Sequence, residues 1–413
     1  MAASRTLAAY AWESTTMMRI LLLSIIGLVW QTNSADAAWC PFCGTMQGQT
    51  LVKEVQQARF VLYGTPSNPQ VKQEADGREI SSTEFTIDEV VKTDPFIKNK
   101  KTITLPRYIP PSTTGPEKLL VFCDLNNDQA DTYLYLTAKD EALIKYLKDA
   151  IKLDDKNIPK KLFFYFNYLD HVDNEIATDA YKEFAKADYA DVMKMVKEHG
   201  SVEMRHKLKT WLKDPNTAIY RFGLIGLMLG LSGKAEDGET FLSLLNDPNN
   251  NLISGIDGIL AGYILVDQPA GWKYTKGLIT STNNDFNKRY AALRTLRFLW
   301  ETHVGHVPEG DLLGAMEQFL AQGDIADLAI EDLRKWKQWK FTKTILDLAK
   351  RESHVSSIVQ RAVLRYMLSV PNDADAKAYV ENVRKTNPDK IKDAQEILEL
   401  EKTSETSDPN KAK

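Results

Sequence analysis

The chain of 413 residues is longer than one typical domain and, with 43% hydrophobic residues, is able to bury a sizeable core. Gly (21), Pro (16) and 26% charged residues exclude collagen-like and wholly disordered chains. Lys plus Arg number 52 against 56 Asp plus Glu, which leaves no basic footprint for nucleic acid, and 3 cysteines are too few for a disulfide-dense scaffold.

At the N-terminus, Met17-Met18-Arg19 precedes an apolar run from Ile20 to Trp30 that is too short to span a bilayer and has the length of a signal-peptide core. Ala35-Asp36-Ala37 supplies the small-x-small cleavage pattern. Residues 1–37 are therefore expected to be a signal peptide cut after Ala37, with Met17 or Met18 as alternative starts. Trp39 before Cys40 argues against a lipid anchor. No later apolar run reaches membrane-spanning length. The expected product is exported, periplasmic or secreted, without stable membrane insertion.

From Ala58 to Leu136, short clusters of Val, Ile, Phe and Tyr separated by Pro, Gly and Asn predict strands at Arg59–Gly64, Thr83–Val91, Lys101–Leu105, Lys118–Cys123 and Thr132–Leu136. Five such strands are expected to close into a small OB-like β-barrel, because an open sheet leaves edges that invite pairing. Leu143, Ile144, Leu147 and Ile151 then mark one face of a helix over Asp140–Ile151. Beyond it the pattern is helical to Leu400, and Lys402–Lys413 has no apolar anchor and is expected to be disordered.

The helical part repeats. A small residue recurs within an apolar helix at Gly223, Gly258, Ala292, Ala329 and Ala362, at separations of 35, 34, 37 and 33. Each is followed by a second amphipathic stretch, such as Leu312, Leu313, Met316 and Phe319. Turn signals at Asp214-Pro215, Asp247-Pro248, Asn283-Asn284, Gln322-Gly323 and Pro371-Asn372 separate the units. This period predicts stacked helix pairs, an α-solenoid over 152–400. The expected fold class is α+β and multidomain: a signal peptide over 1–37, a barrel domain over 38–151, the helical repeats, and a tail over 401–413.

Cys40-Pro41-Phe42-Cys43, a short helix over Thr50–Ala58 and the segments Arg59–Gly64, Phe85–Val91 and Leu119–Phe122 resemble a tissue-inhibitor-of-metalloproteinase or netrin-type OB-fold domain. That resemblance covers about residues 40–151. It implies N-terminal cysteines bridged to the barrel and regulation of a metalloproteinase. Two departures bear on zinc chelation: Ala38 and Trp39 precede the first cysteine, and the spacing is Cys-x-x-Cys where the inhibitors have Cys-x-Cys. The stretch from about Ile176 to Val383 resembles HEAT or armadillo-type repeats in period. The combined layout resembles secreted proteins of uncharacterised function from planctomycete-type bacteria.

Among residues that carry chemistry, Cys40 and Cys43 also have the spacing of a thiol–disulfide exchange pair, although no strand precedes them, and Gly44 stands where a haem-attachment motif needs His. In an oxidising compartment Cys40 or Cys43 could bridge to Cys123, closing a loop of about 80 residues worth about 4 kcal/mol. Alternatively Cys40 pairs with Cys43 and Cys123 is buried and inert. His303 and His306, near Glu301, Glu309 and Asp311, are weak candidates for a metal site and read better as a solvated loop. Asp124-Leu-Asn126-Asn-Asp128 lacks the glycine and glutamate of a calcium loop and reads as a strand turn. Gly230-Leu-Ser-Gly-Lys234 reads as a helix end rather than a phosphate loop. In Arg334-Lys-Trp336-Lys-Gln-Trp339-Lys340, Trp336 falls on the core face and the lysines on the wet one. No nucleophile elbow or His-Glu-x-x-His helix occurs. The expectation is therefore no catalytic residue and no cofactor, and an exported binding or scaffold protein for a protein or cell-envelope polymer partner. The alternatives are a metalloproteinase regulator and a thiol oxidoreductase.

Overall fold

Thr50 caps the first helix among the described residues, α1 (Leu51–Gln57), its hydroxyl accepting from the Lys53 N–H at 3.2 Å. The computed structural model describes residues 48–73, 77, 79–112, 115, 117–138, 140–247, 254–281 and 283–406. The expected signal peptide over 1–37, Cys40 and Cys43 lie outside the described residues.

Five antiparallel strands follow: β1 (Phe60–Gln73), β2 (Glu79–Lys92), β3 (Thr102–Leu105), β4 (Leu119–Asn126) and β5 (Gln129–Thr137), in the sheet order β3-β2-β1-β4-β5. β1 is the shared strand. It pairs with β2 along its length and with β4 over Phe60–Gly64, and register shifts at Val61/Leu62, Tyr63/Gly64 and Ser67/Gln70 bend it. All five expected strands are present, but β1 runs nine residues past Gly64, through Pro66 and Pro69. Both prolines lie beyond the stretch shared with β4, so their missing N–H interrupts no second ladder. The β4–β5 connection is the expected strand turn, with Asn127 (φ 48°) and Asp128 (φ 58°) both left-handed, as a two-residue hairpin loop requires.

The ladder does not close. β3 and β5 are its two edges, and no ladder pairs them among the described residues. Alternation along the strands gives the sheet two apolar faces. Phe60, Leu62, Phe85, Leu105, Val121 and Cys123 pack together on one. Val61, Tyr63, Leu120 and Phe122 face Val52 and Val55 of α1 and Leu143, Ile144 and Leu147 of α2 (Ala142–Ala150), and that core runs on without a break into the helices that follow.

No strand occurs after β5 among the described residues. The helices are α3 (Ile158–Phe166), α4 (Asn174–Ala185), α5 (Tyr189–His199), α6 (Val202–Lys213), α7 (Phe222–Ser232), α8 (Gly238–Asn246), α9 (Ile256–Val266), α10 (Gln268–Thr280), α11 (Phe286–Thr302), α12 (Glu309–Leu320), α13 (Ala326–Lys335), α14 (Thr342–Leu348), α15 (Ser357–Ser369), α16 (Ala374–Thr386) and α17 (Pro388–Thr406). α17 runs past Lys402, into the stretch expected to be disordered. Among the described residues no helix is long and apolar enough to cross a membrane.

The five repeating small residues sit on α7, α9, α11, α13 and α15, and all are buried. α7 packs on α9, α9 on α11, and α13 on α15. A Cβ on Gly258 would stand 2.2 Å from the Gly223 carbonyl oxygen, so backbone meets backbone there. α7 and α9 differ from the expected one-sided pattern, being apolar and buried almost all round. Tyr189 of α5 reaches Phe298 of α11, with ring centroids 5.0 Å apart.

Two glycine substitutions should separate packing from propensity. Gly258→Ala forces the helices apart and is expected to lower stability by about 1–3 kcal/mol. Gly314→Ala, where a Cβ meets nothing within 4 Å, is expected to raise it by about 0.5–1 kcal/mol. Chemical denaturation of the two variants checks both signs.

Candidate functional site

Cys123 has no exposed surface, lies on the inward face of β4 and is bridged to no cysteine among the described residues. Its sulfur lies 3.3 Å from the Thr132 hydroxyl, and burial pushes its pKa up to about 11. The disulfide, protease-regulator and thiol-exchange readings all turn on Cys40 and Cys43, outside the described residues. His303 (φ 53°) and His306 (φ 50°) lie exposed in the loop joining α11 to α12, and no group of three or more metal-ligating side chains occurs among the described residues. Gly233 follows the last residue of α7 in extended conformation, so Gly230–Lys234 is a helix end. Trp336 is half-buried and stacks on Trp300, with centroids 4.4 Å apart and rings 12° from parallel.

What the structure does bring together is a row of half-buried charges across α9, α11, α13 and α15. Arg294 of α11 pairs with Asp257 of α9 at 2.8 Å, Arg297 of α11 with both oxygens of Asp332 of α13 at 2.9 and 2.8 Å, and Arg365 of α15 with Glu331 of α13 at 2.6 Å. Nearby, Arg289 forks onto Asp324 at 3.0 and 2.6 Å and reaches Gln322 at 2.8 Å, and the His354 ring bonds the Leu320 carbonyl oxygen at 2.8 Å. The partners of these bonds lie 33 to 37 residues apart, the same period as the small residues. Arginine suits this place because its planar fork grips a carboxylate at two points while its stem covers apolar surface. Arg294 and Arg297 also lie 6.0 and 5.9 Å from the Tyr290 ring.

The row begins beside α4. Arg221, in the turn before α7, donates to the Leu169 carbonyl at 2.6 Å and, from Nε and Nη2, to the Tyr220 hydroxyl oxygen at 3.2 and 2.9 Å. The Tyr220 hydroxyl lies 3.3 Å from that of Thr178, and the Tyr220 ring meets Tyr181 edge-on at 4.9 Å. Tyr181 is close enough to Asp257, Arg294 and Arg221 to feel their charges. Burial raises the Asp257 pKa against the pull of Arg294.

A second buried carboxylate joins the strand-bearing part to the helices. Asp179 of α4 accepts from the Leu51 N–H at the start of α1 and from the Tyr146 hydroxyl of α2 at 2.9 Å. Burial pushes its pKa up to about 6.

Shallow grooves also occur, of which two lie beside charged side chains. One, of about 670 Å³, lies between β3 and the start of β5, lined by Glu84, Phe96, Ile103, Thr104, Gln129 and Ala130, with the Lys100 ammonium 3.4 Å above the Phe96 ring. The other, of about 330 Å³, lies between α10 and α12, beside Lys276, Asp311 and Gln318. Neither is lined by a histidine or cysteine. Sequence reasoning missed the charge row and Asp179. The signal for the first was present as arginine, not lysine, at 294, 297 and 365, one period from a carboxylate.

Asp179 sets a pH dependence. Its pKa is raised from 3.8 to about 6, so the folded state holds the proton more tightly than the unfolded chain. The resulting stability, about 3 kcal/mol, is complete below pH 4 and lost as pH rises through 6. Asp179→Asn keeps an acceptor for Leu51 and is expected to flatten the stability profile between about pH 4 and 7, measured by urea unfolding; an unchanged slope would count against this assignment. Cys123 should resist alkylation in the native protein at pH 8 and react only in denaturant, as read by peptide mass spectrometry.

Comparison with protein-family models, curated proteins and solved structures found no match to this chain.

Proposed function

We propose that this chain is an exported binding protein whose helical part, a solenoid of stacked helix pairs, holds a protein or cell-envelope polymer without converting it. The observation that carries the reading is the recurrence of inter-helix bonds at the repeat period: Asp257–Arg294, Arg297–Asp332 and Glu331–Arg365 each tie one helix of the row to the next. Charges used in this way fix the spacing of successive helices and are spread along a surface instead of converging on a reacting centre. Such a surface suits an extended partner whose contacts are distributed over several repeats.

For the strand-bearing part the proposal is an OB-like fold. The support is that β1 serves both β2 and β4, and that the two edge strands β3 and β5 run near each other. Its place in the reading is to brace the first helices, through α1, α2 and Asp179.

The test uses the chain from residue 38 onward, immobilised and exposed to the exported fraction of the source cells. A saturable partner, retained with no change in its mass or composition after prolonged incubation, is the expected result. Progressive chemical change in a component of the fraction, proportional to the amount of protein, would replace the binding reading with an enzymatic one.

A further inference from the structure

Five tryptophans lie among the described residues. Trp211 and Trp272 are buried, and the three that keep part of their surface in water, Trp300, Trp336 and Trp339, are gathered in one place. Trp300, in the last turn of α11, stacks on Trp336, which follows the last residue of α13. A left-handed Lys337 (φ 57°) then turns the chain, and the Gln338 N–H returns to the Leu333 carbonyl oxygen at 2.9 Å. The turn sets Trp339 edge-on to Tyr366 of α15, with ring centroids 5.5 Å apart, and the Tyr366 hydroxyl holds it by donating to the Gln338 carbonyl oxygen at 2.7 Å.

A second observation is the charge around these rings. Lys335, Lys337 and Lys340 alternate with the tryptophans along the chain, are exposed, and pair with no carboxylate among the described residues. No acidic residue occurs between Asp332 and Asp347. The carboxylates of the preceding turn are already engaged, Asp332 by Arg297 and Glu331 by Arg334 and Arg365. Glu301, next to Trp300 in the chain, is exposed, so one carboxylate stands against three ammonium groups.

We propose that Trp300, Trp336 and Trp339, with Lys335, Lys337 and Lys340, form a docking surface for an anionic polysaccharide whose charge is carried on carboxylate or sulfate groups. The flat C–H face of a sugar ring rests on the electron-rich face of an indole. An acid group at the edge of the same sugar is within reach of a flexible lysine stem. An acidic polypeptide brings the charge without the flat C–H face. Duplex DNA keeps its base faces inside its own stack, and a chain of net charge −4 offers it no long-range attraction. The proposal rests on the binding reading above and narrows the partner to a charged glycan.

The test is titration of the tryptophan fluorescence of the full chain, at pH 7 and low salt, with polygalacturonate, dextran sulfate, uncharged dextran, polyglutamate and duplex DNA. A saturable change is expected with at least one of the two anionic polysaccharides, and which one distinguishes carboxylate from sulfate recognition. Raising the salt to about 0.5 M should weaken that binding at least about tenfold, and uncharged dextran should bind more weakly by a similar factor. The double variant Lys337→Glu, Lys340→Glu reverses two exposed charges, so its Tm should be unchanged while its affinity falls at least about tenfold. No saturable change with either anionic polysaccharide, equal binding of uncharged dextran, polyglutamate or DNA, or unaltered affinity in the double variant would overturn the proposal. A partner still retained from the exported fraction in any of those cases would leave the binding reading standing and remove the glycan surface alone.

Discussion

Close approach between successive helices is the constraint on which the helical part depends. Where the approach is closest, between α7 and α9, glycines remove the side chains altogether and the two backbones touch. Both helices are buried over most of their length, and Asp257 is the one charged side chain on either. Further along, buried alanines stand at 292, 329 and 362, and arginine–carboxylate pairs join the same helices. Small residues and charged pairs thus recur at the same period along the row.

The strand-bearing part is governed by a different limit. β1 spends its first five residues between two partners and its remainder with one, so everything that packs on the sheet is arranged around Phe60–Gly64. Val61 and Tyr63 point to α1 and α2, and Phe60 and Leu62 point to the opposite core. Asp179 then fastens α1 and α2 to α4 with one carboxylate, placed where the first N–H of α1 needs an acceptor.

Much of this was legible in the residues. Alternation and turn chemistry located every strand, and the asparagine–aspartate pair at 127 and 128 identified its hairpin, because those signals act over a few residues. Pro66 and Pro69 misled, since a proline is read as a strand end unless the position of the neighbouring strand is known. The period of small residues was legible for the same reason as the strands, whereas the partners of Arg294, Arg297 and Arg365 were not. A pairing across some 35 residues depends on how far each helix is rotated about its axis, and sequence spacing alone leaves that rotation free. Asp179 was hidden more deeply: nothing near it in the chain indicates that its partners are Leu51 and Tyr146.

The Gly223–Gly258 contact also has a mechanical meaning. Backbone atoms held against backbone atoms have no rotamers to exchange, so α7 and α9 cannot slide or tilt without losing their contact outright. The join between α11 and α13 is made by Arg297 with Asp332 and by Trp300 with Trp336, long side chains that adjust by small torsions. Stiffness is therefore unevenly distributed along the row: the glycine-joined helices act as a rigid block, and flexing is taken up where long side chains make the join, between α11 and α13.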